Sequence, residues 1–95
     1  MYARITQFKV DPSRLVELSA KIKDMGPLAK ALPGMVDAYA AWRPDGLGVI
    51  VALYESKAAA DRAVTRIQAL WGDLVSLLSS APRTDVYAHA EHITR

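Results

Sequence analysis

The chain has 95 residues, no cysteine, 12 Lys and Arg against 10 Asp and Glu, and 52% hydrophobic residues. That length is expected to form one domain over residues 1–95, and the missing thiols exclude a disulfide scaffold, a thiolate metal site and a cysteine nucleophile. No apolar run approaches the ~20 residues of a bilayer span, the start Met1-Tyr2-Ala3-Arg4 lacks an apolar signal core, and the basic residues are spread evenly, so a cytoplasmic protein with no membrane and no nucleic-acid partner is expected.

The segment Tyr2 to Val10 is rich in β-formers and ends at Asp11-Pro12, a good N-cap followed by the residue favoured at the first helical position. Leu15, Leu18, Ile22 and Met25 then recur at helical spacing. Gly26-Pro27 is expected to break this helix, and Leu28 to Leu32 to add a last turn before Pro33-Gly34 stops it.

Met35 to Arg43 reads as a strand, closed by the turn Pro44-Asp45-Gly46, in which Pro presets φ and Gly accepts a positive one. Leu47 to Glu55 is the strongest strand signal. Leu47, Val49, Val51 and Leu53 lie on one parity and Ile50, Ala52 and Tyr54 on the other. A strand apolar on both faces is usually covered on both.

Ser56 is the expected N-cap of a second helix whose stripe runs Ala60, Ala63, Val64, Ile67, Trp71, Leu74, Leu78. Gly72 inside it predicts a kink or two short helices. Thr84 to Ile93 alternates and predicts a half-buried strand.

The order β-α-β-β-α-β is the split ferredoxin-like pattern: an α+β subunit with a four-stranded antiparallel sheet and its helices on one face. Two helices cover one face only. A domain this small buries little more than ~60% of its chain's surface, so the apolar surplus needs another cover. A second copy is expected to supply it, the two sheets closing face to face into a dimeric α/β barrel.

This topology serves unrelated functions, so residues must decide among them. RNA-recognition domains stack bases on third-strand aromatics. Here Gly46-Leu47-Gly48-Val49-Ile50-Val51-Ala52 offers aliphatics. No Walker loop, nucleophile elbow or dinucleotide fingerprint occurs; Gly46-x-Gly48 sits in a hairpin, away from any strand-to-helix turn.

Pro33-Gly34 before the second strand, Tyr54-Glu55-Ser56 at the end of the third, and the alanine-rich helix start Ala58 to Ala63 resemble the antibiotic-biosynthesis-monooxygenase-like dimeric α/β-barrel family. The resemblance implies a homodimer and a pocket between helices and sheet for a small apolar or aromatic ligand. It implies oxidation of planar, polyketide-like compounds by molecular oxygen without metal, flavin or other cofactor. The family's usual groups are an Asn, a Trp and an Arg or His; this chain has no Asn. Alignment puts Thr6 and Ala63 where the haem-degrading branch carries Asn and Trp.

His89 is the expected base or orienting group, since an imidazole with its ordinary pKa of about 6.5 accepts a proton near neutrality. Arg4 joins it as a catalytic residue, and Thr6, Tyr54, Trp71 and Tyr39 are expected to bind the ligand. Trp71 also fits a plain core position, and Tyr39, Tyr54 and Tyr87 fit an interface. His89 and His92 point to opposite faces of a strand, so no metal site is expected. The other reading is a non-catalytic ligand-binding or dimerisation module.

Overall fold

A computed structural model describes residues 1–94. Its strands are β1 (Tyr2–Lys9), β2 (Met35–Trp42), β3 (Leu47–Tyr54) and β4 (Arg83–Tyr87); α1 (Leu15–Lys30) and α2 (Lys57–Gly72) connect the two halves. The sheet order is β2-β3-β1-β4, antiparallel throughout. This is the ferredoxin-like βαββαβ arrangement that the element order predicts.

Register explains which residues face the helices. Thr6 stands opposite Ile50 and Arg4 opposite Ala52. Ala38 and Ala40 continue these rows on β2, and Thr84 and Val86 on β4. The intervening rows, including Ile5, Val49, Val51 and Leu53, face away from the helices, because successive residues of a strand alternate faces.

The hairpin turns at Gly46, whose φ is 92°. The Gly46 amide donates to the Arg43 carbonyl at 2.9 Å. At Gly48 the reason for glycine is space: a Cβ there would overlap the Phe8 ring.

The core has two centres. One gathers Leu32, Ala52, Tyr54, Ala59, Ala60 and Ala63; the other gathers Phe8, Val10, Leu18, Leu74 and Leu77. The helices therefore clamp the sheet near both ends, and between the clamps packing is incomplete.

Three expectations need correction. α1 runs unbroken through Pro27. The ring deprives Lys23 of its i+4 donor, which costs one hydrogen bond and does not end the helix. α2 ends at Gly72, and a short 3-10 turn, Val75–Leu77, follows in place of a second helix.

The last strand stops at Tyr87, short of Ile93. Tyr87 pairs with Ala3, and β1 begins one residue earlier at Tyr2, so little backbone remains to extend the ladder. The chain then continues without regular structure and brings His92 Nε2 within 3.3 Å of Asp37 Oδ2 on β2.

Candidate ligand-binding site

Between the two core centres lies a cavity of about 150 Å³. Its floor is the helix-facing side of the sheet, with Arg4, Thr6, Ala38, Ala40, Ile50, Ala52 and Tyr54. Its roof is Ile22, Met25 and Ala29 of α1 with Ile67, Leu70 and Trp71 of α2.

Side-chain size creates the hollow. Ala38, Ala40 and Ala52 are neighbours across β2 and β3, and Ala29 lies above them, so methyl groups stand where larger residues would fill the layer. A bulge between Met35 and Asp37 shapes the same edge. It puts Met35, opposite Tyr54, on the cavity side and Asp37, opposite Leu53, on the other.

The polar groups are few and placed together. Tyr54 is 1% exposed, and its hydroxyl is buried without a hydrogen-bond partner. Burial pushes its pKa above the usual tyrosine value, opposed by the positive charge of Arg4, so the group is a neutral donor. Arg4 is partly buried, two residues from the Tyr54 partner on the adjacent strand, and no described residue pairs with it. Burying a polar group without a partner is costly, and so is leaving a half-desolvated cation unpaired. The Tyr54 hydroxyl, the one buried side-chain atom without a partner among the described residues, points to a missing acceptor, and Arg4 beside it favours an anionic one.

Thr6, 3% exposed, completes the cluster. Its hydroxyl lies 3.0 Å from that of Thr84. One hydroxyl donates to the other, and where Thr84 donates, the Thr6 hydrogen is free for a ligand.

Trp71 forms one wall, and its indole meets the Phe8 ring edge-on, with centroids 6.1 Å apart at 66°. It is both a core residue and a lining residue, so the two readings of its position are compatible.

Two other expected site residues are placed differently. Tyr39 borders the cavity on the edge strand, but its parity turns the side chain to the opposite face, where its hydroxyl donates to Asp37 Oδ2 at 3.0 Å. His89 is exposed on the segment after β4 and does not line the cavity. No group of three or more His, Cys, Asp or Glu among the described residues is arranged to hold a metal ion.

Sequence reasoning missed the alanine floor. The alternation Ala38, Ala40 beside Tyr39 was its signal: small residues on the helix-facing parity of an edge strand.

No protein-family model and no curated protein matches the chain. Solved structures do match. A Caulobacter crescentus CB15 protein, provisionally named an antibiotic biosynthesis monooxygenase, superposes with a TM-score of 0.81 at 18% identity over 95% of this chain and 90% of its own. A variant of SnoaB, a cofactor-independent oxygenase from Streptomyces nogalater, gives 0.77 at 15% identity over 99% and 97%. NE2512 from Nitrosomonas europaea, a protein of unknown function, gives 0.77 at 22% identity over 99% and 93%. The chain thus has the ferredoxin-like fold of the antibiotic-biosynthesis-monooxygenase-like proteins. No helix is long and apolar enough to cross a membrane.

Proposed function

We propose that this protein is a homodimer that binds a small hydroxylated aromatic compound between its helices and sheet and presents it, as an anion, to molecular oxygen. The observation that carries the reading is the Tyr54 hydroxyl, buried without a partner, on an apolar cavity that the partly exposed Arg4 also lines. The likeness of fold to a cofactor-independent oxygenase supplies the reaction class.

The residues divide the work by chemistry. Arg4 stabilises the ionised oxygen, whose negative charge makes the ring electron-rich enough to react with oxygen directly. Tyr54 and Thr6 direct that oxygen toward one wall, and Trp71 with Ile67 and Leu70 holds the ring and excludes water. Reaction at a ring carbon that carries a hydrogen forms a peroxide anion, which takes a proton from water to become the hydroperoxide; the O–O bond then breaks, that carbon's hydrogen and the terminal OH leave together as water, and a carbonyl remains with one oxygen atom retained. The protein contributes orientation and fixed charge, the effects that dominate where no covalent chemistry falls to the enzyme.

Oxygen uptake on a panel of hydroquinones and anthrones tests this. The wild type consumes oxygen with at least one substrate, and Arg4→Met slows it by about 10²-fold, the scale of losing one preorganised charge partner. His89→Ala retains the rate. Uptake unaffected by Arg4→Met sinks the assignment.

A second reading has one observation in its favour. Among the described residues, no carboxylate or imidazole lines the cavity to take a proton. A pocket of donors without a base also suits a binding module that captures a preformed anion and does nothing further. Binding without oxygen uptake on any member of the panel favours that module.

A further inference from the structure

We propose that the cavity selects a single-ring phenolate or enolate, its ionised oxygen held between Arg4 and the Tyr54 hydroxyl and its ring set against Trp71. This rests on the reading above and narrows it to a substrate class smaller than fused-ring compounds.

Size is the first ground. A cavity of about 150 Å³ is the volume that an apolar protein interior uses to hold one benzene ring. Its Trp71 wall is fixed from behind: the indole packs on Phe8, and the Phe8 ring occupies the space above Gly48 that a Cβ would need. A second fused ring has to displace this stack or protrude between α1 and β2.

Charge is the second ground. Arg4 is a cation with no partner among the described residues, and the Tyr54 hydroxyl beside it is a buried donor with none. A neutral ligand satisfies the hydroxyl and leaves the cation unmet. An anion satisfies both.

Charge density separates the two common kinds of organic anion. A carboxylate concentrates its charge on two oxygens and is the costlier of the two to desolvate against an apolar lining. A phenolate spreads its charge into the ring and presents one oxygen. Arg4 and the Tyr54 hydroxyl, joined by Thr6 where Thr84 donates to it, are enough for that oxygen. Among the described residues no base lines the cavity, which fits the same class, because a phenol or enol of low pKa arrives already ionised and needs no proton acceptor.

The test uses 4-nitrophenol, whose visible absorption distinguishes the ionised from the neutral form. Its companions are neutral 4-nitroanisole, 4-nitrobenzoate and the two-ring 4-nitro-1-naphthol. The wild type should bind 4-nitrophenolate about ten- to a hundredfold more tightly than nitroanisole, the scale of one charged hydrogen bond. The bound probe should ionise at a lower pH than the free one. Arg4→Met should abolish both effects, and Arg4→Lys, which keeps the charge, should restore part of them. Tyr54→Phe should weaken phenolate binding severalfold and leave nitroanisole unchanged.

The naphthol should bind no more tightly than the phenol in the wild type, and should gain in Trp71→Leu, where the wall is opened. The proposal is overturned by equal affinity for nitroanisole, by nitrobenzoate matching the phenolate, by anion preference surviving in Arg4→Met, by tighter binding of the naphthol to the wild type, or by no binding of the phenolate at all. Circular dichroism confirms that each variant is folded. Phenolate binding without oxygen uptake rejects the oxygenase reading alone; uptake on fused-ring substrates only rejects the single-ring proposal alone.

Discussion

Tyr54 keeps a hydroxyl in the interior with no partner, an arrangement that destabilises a fold by about 1–3 kcal/mol relative to a satisfied one. The residue is tolerable because its ring lies in the alanine-rich core centre with Ala52, Ala59, Ala60 and Ala63. Tyr54→Phe keeps that packing and removes the orphaned oxygen. Denaturant unfolding of the ligand-free variant should show stability raised by about 1 kcal/mol, even as its phenolate affinity falls. A loss of stability would mean that the hydroxyl is structurally satisfied.

The same group sets an alkaline limit. Burial raises the Tyr54 pKa in the folded chain, so the unfolded chain ionises first. Below about pH 10, the ordinary tyrosine value, this difference costs the fold nothing, and stability is lost as pH rises from there through the higher folded value. Urea midpoints should fall above that pH more steeply for the wild type than for Tyr54→Phe. Parallel curves would remove Tyr54 as the cause.

At the scale of elements, the local signals are strong. Ser56 caps α2 by accepting the Ala59 amide at 3.1 Å, and Asp11 accepts the Ser13 amide at 2.9 Å where the chain leaves β1. Ser56→Ala should cost about 1 kcal/mol, seen in the unfolding midpoint; no change would mean that water replaces the cap. Gly48→Ala should destabilise more strongly, because the overlap with Phe8 has no open direction in a filled core.

Four strands, two helices and the hairpin were legible in periodicity and turn chemistry. Three boundaries were not. Pro27 carries a local penalty that helix packing overrides, Gly72 ends α2 and gives way to a 3-10 turn, and the end of β4 depends on where β1 begins, a fact of pairing invisible in β4 itself. Arg4, Thr6, Tyr54 and Trp71 were legible as candidates because parity and helical spacing place each on the buried side. Tyr39 borders the cavity from the edge strand, where the bulge after Met35 shifts parity on β2. His89 does not line it, because the strand expected to carry it ends two residues earlier.

Taken whole, the molecule has one finished and one unfinished face. The helices cover one side of the sheet, while on the other Ile5, Val49, Val51 and Leu53 form an apolar band only partly buried. Tyr39 at 59% exposure and Tyr87 at 49% flank that band. An apolar sheet face of this kind favours association, which is the physical ground for the proposed homodimer. Val51→Lys puts a charge at its centre and should convert the dimer to monomer in light scattering, with the cavity on the opposite side still able to bind ligand. A wild type that is monomeric at micromolar concentration removes the dimer from the account.

The two sides of the sheet also give the most direct test of the central claim, that the site is the cavity under the helices. Backbone amide chemical shifts should be mapped during titration with 4-nitrophenolate. The account predicts changes concentrated at Arg4, Thr6, Ala52, Tyr54 and Trp71, and their loss in Arg4→Met. Changes concentrated instead at Ile5, Val49, Val51 and Tyr87, on the open face, would contradict it.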